Sequence, residues 1–216
     1  TGVNDSSIDG NISFSIVLAA ASSSDSNYNG LNPSDVSVTN TDDETAGFTI
    51  SSISGNTTES GGTATFTVKL NSQPTADVSI AVSSSDTSEG TVSPSSLTFT
   101  TSNYNSAQTI TVTGVNDSSV DGNISYLIVL AAASSSDSNY NGLNPADVSV
   151  TNTDDETAGF TISSISGNTT EAGGTGSFTV KLNSEPTANV TIGVSSSDTG
   201  EGTVSTSSLT FTSSNW

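Results

Sequence analysis

TATFTVKL, residues 63–70, decides the fold class: Ala64, Phe66, Val68 and Leu70 alternate with Thr63, Thr65, Thr67 and Lys69. A period of two sends successive side chains to opposite faces of a pleated strand, so one face of this segment is predicted to be buried. Threonine as the outer residue suits a strand and disfavours a helix. The same alternation recurs on both sides. Asp77–Val82 turns Val78, Ile80 and Val82 inward; Leu97 with Phe99, and Ile110 with Val112, follow. Ile124, Tyr126, Ile128 and Leu130 make the longest face, Val148 and Val150 the last, and Phe48 and Ile50 open the series. The runs are parted by SGNTTESGG, NSQP, SSDTSEG, VNDSSVDGN and NGLNP, all rich in turn-forming residues. About seven short strands in roughly 110 residues predict an all-β fold, an immunoglobulin-like antiparallel β-sandwich. This pattern argues against disorder, which low hydrophobicity and high net charge would otherwise suggest.

The chain repeats itself. TGVNDSS at Thr1 returns at Thr113, and across Thr1–Tyr104 and Thr113–Trp216 only 15 of 104 positions differ. A period of 112 residues is too long for a helix pair or a β-helix coil and fits one small sandwich, so tandem sandwiches are expected. The linker DDETAG precedes the first strand of each copy. It places a complete repeat at residues 47–157, between the closing part of one repeat (1–46) and the opening part of the next (158–216). The chain is eight residues short of two periods, and the stretch without a second copy is Asn105–Val112. With no methionine to start it, the chain reads as a window on a longer array, with completion of its end portions by neighbouring chains as the lesser alternative.

Two Lys and no Arg stand against 22 Asp plus Glu, a formal net charge of −20. Nucleic-acid and anionic-membrane binding both need cations to neutralise phosphates, so neither is expected. The longest apolar run, Ile16–Ala21, is far too short for a membrane span. Without Cys or His there are no disulfides, no thiolate or imidazole metal sites and no imidazole base. Carboxylate pairs alone, with few aromatics to line a sugar cleft, make no case for an enzyme. Carboxylates remain as ligands for a hard divalent cation.

TTESGGTATFTVKL, then EGTVSPSSLTFTTSNYNSAQTITVTGVNDSSVDGNISYLIVL, then DVSVTNTDDE, resembles the Calx-beta domain in motif order. That family includes calcium-binding modules of sodium–calcium exchangers and tandem repeats in giant bacterial surface proteins. The resemblance implies Ca²⁺ ligands at Glu59 before the second strand, at Asn116, Asp117 and Asp121 in an acidic loop, and at the closing triplet Asp154, Asp155 and Glu156. The earlier copy offers Asn4, Asp5, Asp9, Asp42, Asp43 and Glu44, and the later one Glu171. The chain departs from the family at Asn116 and Ser118, where carboxylates are usual, and in a shorter loop around Asp86 and Glu89.

Three consecutive acids repel one another unless a cation lies among them; one such pair about 4 Å apart near a surface costs on the order of 4 kcal/mol. The isolated acids Asp25, Asp35, Asp77, Asp137 and Asp147 read instead as solvated loop residues. The expected function is structural: extender repeats of a large extracellular bacterial adhesin or surface fibre, stiffened by calcium at the seams. Its partners would be neighbouring repeats and other copies in a fibre. The alternative is an adhesion module whose sandwiches contact a glycan or another copy.

Overall fold

A computed structural model describes residues 1–216 as sixteen β-strands and no helix. No helix is therefore long and apolar enough to cross a membrane. The first portion of the chain contributes β1 (Ile12–Ile16) and β2 (Val36–Asn40), an antiparallel pair. The central portion carries β3 (Phe48–Ile50), β4 (Thr57–Thr58), β5 (Thr63–Leu70), β6 (Val78–Ser84), β7 (Gly90–Ser93) and β8 (Ser96–Phe99). It continues with β9 (Gln108–Gly114), β10 (Ile124–Leu130), β11 (Ser134–Ser135) and β12 (Val148–Thr153). The last portion holds β13 (Phe160–Ile162), β14 (Val180–Leu182), β15 (Val190–Gly193) and β16 (Ser208–Phe211).

The central strands form two sheets. One runs β3-β5-β9-β7, antiparallel throughout. In the other, β6 pairs with β8, β10 and β11, β10 with β12, and β12 with β4 in parallel. The alternation seen in the sequence decides which side of each strand faces inward. Ala64, Phe66, Val68 and Leu70 of β5 are buried, as are Val78, Ile80 and Val82 of β6. Together with Leu97, Phe99, Ile110, Val112, Tyr126, Ile128, Leu130, Ala133, Tyr140 and Val150, all of these except Ala64 make a single core of 16 residues. Tyr140 closes one edge: its ring meets Phe48 edge-on at 6.1 Å, and its hydroxyl donates to the Ser72 carbonyl at 2.8 Å.

The repeats themselves provide a control on this account. β10 and β12 bury Tyr126, Ile128 and Val150, whereas β1 and β2, nearly identical in sequence, leave Phe14, Ile16 and Val38 exposed. GTVS is a strand at Gly90–Ser93 beside β9, yet the same letters at 202–205 form none. The second half of the chain has no copy of β9 to pair with them. For the same reason β14 spans only the three residues that face β13, against eight in β5. Strand formation here follows partner availability more than local propensity.

Gly114, at the end of β9, is set by close approach. A Cβ there would run into the Thr58 carbonyl and the Asn152 side chain, whereas Gly55 faces open space. Gly114→Ala is expected to destabilise the central sandwich by about 1–3 kcal/mol through overpacking. Its melting temperature should drop by several degrees, with Gly55→Ala within about 0.5 kcal/mol of the parent by the same measurement.

Candidate metal centre

The acidic residues of the central sandwich converge on one end, where β4 meets β12 and the loop from β9 to β10 folds over them. Glu59 follows β4 and is only 2% exposed. Its backbone N–H donates to the Thr153 carbonyl at 3.1 Å, which draws the residue against the strand leading into the closing triplet. Its carboxylate, with those of Asp154 and Glu156, forms a group whose oxygens lie within 4.8 Å of one another. A second group of the same kind joins Glu89, Asp117 and Asp121.

Hydrogen bonds bind the two groups into one end. The Gly122 N–H donates to Asp154 Oδ2 at 2.6 Å, and the Glu156 N–H donates to Asp154 Oδ1 at 2.9 Å. Asn123 Oδ1 accepts from the Asp154 N–H at 3.1 Å. Asp117 Oδ1 accepts from the Ser119 N–H at 2.6 Å, bending the acidic loop into a turn. Buried Asn152 lies between, its amide donating to the Val115 carbonyl at 3.0 Å and to Glu89 Oε2 at 3.4 Å.

What the protein does not provide is as informative. Glu59 Oε2, Glu156 Oε2 and Asn152 Oδ1 are buried acceptors with no donor. Each unpartnered buried oxygen costs about 1–3 kcal/mol, more when charged. Burial, and then the Glu156 carboxyl beside it, push the Glu59 pKa up to about 8. Burial likewise raises Glu89, against the lowering effect of Asn152 and with further upward pressure from Asp121. Asp154 moves the other way, held down by the Gly122 and Glu156 N–H groups. An all-oxygen set of carboxylates, short of donors, fits a hard cation such as Ca²⁺ and no soft metal.

The sequence-derived ligands divide clearly. Glu59, Asp117, Asp121, Asp154 and Glu156 come together in these two groups. Asp155 is exposed and joins neither, while Asn116 turns its amide to the Asp117 carbonyl at 2.6 Å. Asn4, Asp5, Asp9, Asp42, Asp43 and Glu44 line a cleft of about 590 Å³ in the first portion of the chain. There Gly10 donates to Asp42 as Gly122 does to Asp154. Burial raises Glu44, and the Gly10 N–H lowers Asp42. Glu171, the copy of Glu59, is exposed in the last portion and joins none of these acids.

One residue was passed over from sequence and another misjudged. Glu89, noted only for the short loop it shares with Asp86, belongs to the second group. Asp137, read as a solvated acid, is buried and accepts from the Thr75 N–H at 2.8 Å and the Asn139 N–H at 2.9 Å. Burial opposes its ionisation, but those donors outweigh it and its pKa is lowered.

No family model matches the chain, and no curated protein matches it. Among solved structures the chain is similar to WR4, a C. elegans MSP family member, at 14% identity and a TM-score of 0.30. The match covers 46% of this chain and 89% of that one.

In the metal-free protein, folded Glu59 keeps its proton to about pH 8 against an ordinary value of 4.5. Its stabilising proton is fully present below that ordinary value and is lost as the pH climbs towards 8. The melting temperature in EDTA is therefore expected to fall from pH 5 to pH 8. Glu59→Gln, which cannot ionise, should flatten that fall and melt above the parent at pH 8. Parallel pH curves for parent and variant would show that Glu59 is not the titrating group.

Proposed function

We propose that the chain is a run of structural extender repeats of an extracellular bacterial surface protein. In this reading tandem immunoglobulin-like sandwiches of the Calx-beta type hold Ca²⁺ at one end, which stiffens the seam to the next repeat. The observation that carries it is the buried, donor-poor carboxylate of Glu59 beside Asp154 and Glu156, at the strand end that leads into the linker. Glu59, Asp154 and Glu156 would hold one ion; Glu89, Asp117 and Asp121 would hold another. Bound calcium would favour ionised Glu59 and remove the mutual repulsion of the acids, so binding releases protons below about pH 8.

Stiffening is supported by how the seam is made. The Glu185 N–H donates to the Ser118 carbonyl at 2.7 Å, and Ser119 bridges Glu185 in parallel. One period earlier the Gln73 N–H donates to the Ser6 carbonyl at 2.7 Å, with Ser7 bridging Gln73. The receiving carbonyl thus lies in the same loop as Asp117 and Asp121, so an ion that orders the loop also orders the joint. Each 112-residue period from Thr45 to Glu156 has 11 acids and one Lys, and two Ca²⁺ would offset part of that charge. A surface location fits a chain that offers trypsin-like proteases only two lysines.

Millimolar calcium is expected to raise the melting temperature of the whole chain by several degrees over an EDTA control at pH 7.5. Asp117→Asn with Asp121→Asn should remove part of that rise. Small-angle scattering should show a longer, stiffer particle with calcium than without. An unchanged melting temperature would exclude the calcium site, and an unchanged scattering profile alongside a raised melting temperature would exclude stiffening.

A further inference from the structure

Three acids of the central sandwich are buried, Glu59, Glu89 and Asp137. The first two belong to the carboxylate groups described above, and Asp137 belongs to neither. Its loop also carries Tyr140, which is fully buried. The loop is closed at its base, where the Ala133 N–H donates to the Leu143 carbonyl at 2.9 Å and the Gly142 N–H to the Ala133 carbonyl at 2.7 Å. β11, at its start, pairs with β6 and ties it to the core sheet. From this fixed base both side chains reach the turn Ser72–Thr75 between β5 and β6. Asp137 Oδ2 accepts from the Thr75 N–H at 2.8 Å. The Tyr140 hydroxyl accepts from the Ser72 N–H at 3.1 Å and donates to the Ser72 carbonyl at 2.8 Å. Pro74, between the two held residues, is buried and has its own φ fixed by its ring.

The same turn makes the contact to the portion of chain before it. The Gln73 N–H donates to the Ser6 carbonyl at 2.7 Å, and Ser7 bridges Gln73 in parallel. The Ser72 carbonyl and the Gln73 N–H are the two ends of one planar trans peptide, so they point in opposite directions. With the carbonyl held inward by Tyr140, the N–H is aimed outward at Ser6. Donation to that carbonyl also polarises the peptide and strengthens its N–H as a donor. The side chain at the contact is not what is recognised. Gln73 is replaced by Glu185 in the next copy, and the Glu185 N–H makes the same 2.7 Å bond, there to Ser118. The contact reads main-chain geometry, and main-chain geometry is what Tyr140 and Asp137 hold.

We infer that Tyr140 and Asp137 are positioning residues for the joint between repeats, holding the Ser72–Thr75 turn as a preformed main-chain docking surface for the Ser6–Ser7 segment of the repeat before it. Tyr140 has the larger share, because it grips the very peptide whose other end makes the contact. Its ring also meets Phe48, the first residue of β3 after the linker, edge-on at 6.1 Å. One side chain thereby fixes both the turn that docks and the strand by which the chain enters the sandwich. A turn ordered in advance loses less freedom on docking, which favours the closed joint. The inference rests on the reading of the chain as jointed repeats and not on calcium.

The test is residue-resolved amide hydrogen exchange of the 216-residue chain in EDTA. In the parent the Gln73 amide is expected to be protected. Tyr140→Phe keeps the ring and removes the hydroxyl, and should speed Gln73 exchange about five- to tenfold beyond any change at the core amides of Phe66 and Ile110. Asp137→Asn leaves one acceptor oxygen where two N–H groups arrive, and should speed it about two- to threefold by the same comparison. Ser72→Ala keeps the carbonyl that Tyr140 holds, and should leave Gln73 within about twofold of the parent. The Glu185 amide, which neither Tyr140 nor Asp137 holds, should not change in any of the three. Equal acceleration of Gln73 and the core amides, or no acceleration in Tyr140→Phe and Asp137→Asn, would overturn the positioning role while leaving the joint intact. A Gln73 amide that exchanges freely in the parent would overturn the joint itself, and with it stiffening through that contact.

Discussion

A sheet whose sequence alternates with period two has one apolar face, and that face is stable only when a second sheet covers it. Everything in this molecule depends on that mutual covering. Phe66, Val68 and Ile110 on one sheet are buried because Ile80, Leu97, Phe99 and Ile128 stand opposite them. Where the covering sheet is incomplete, the same letters give short ladders and exposed side chains, as at Phe178 and Ile16. Covering apolar surface is worth about 25 cal/mol per Å², so the difference between Phe66 and Phe178 lies in their surroundings and not in the residue.

The sandwich frame then imposes an electrostatic problem at one end. Two acids of the linker, Asp154 and Glu156, the loop from β9 to β10 and the buried Glu59 arrive together because β4 and β10 are both hydrogen-bonded to β12. With two lysines in the chain, no cationic side chain meets these acids. The protein neutralises what it can with backbone N–H groups, at Asp154 and Asp117, and with the Asn152 amide at Glu89. Those donors run out before the acceptors do. The surplus oxygens of Glu59 and Glu156 are where an external cation or a proton is needed, and the raised pKa of Glu59 is the proton's answer to that need.

The strands were legible because burial on one face writes itself into alternate positions, and every run from Phe48 to Val150 became a strand. Glu59, Asp117, Asp121, Asp154 and Glu156 were named from a family resemblance and not from their own spacing, and the fold brings their carboxylates into two groups. Glu89 carried no such signal: one acid before a Gly in a short turn looks the same whether it points to solvent or to Asp121. Asp137 was hidden for a similar reason. Its burial depends on Thr75, 62 positions away, offering an N–H in the folded state only. Asp155 shows the converse, since consecutive residues cannot all turn to one side, and the middle acid of the triplet points outward.

The joint between repeats ties these threads together. A main-chain bond from Glu185 to Ser118 is short and free of side-chain chemistry, so neither its strength nor its register depends on charge. Its accepting loop does depend on charge, because Asp117 and Asp121 repel Glu89 across the same few ångströms. Relaxing that repulsion by moving the loop outward would drag the Ser118 carbonyl with it and loosen the contact to the next repeat. A cation that held the loop in would keep the carbonyl where the neighbouring turn needs it. On the reading proposed above, repeat-to-repeat geometry and carboxylate neutralisation would be coupled through five residues of one loop, Asp117 to Asp121.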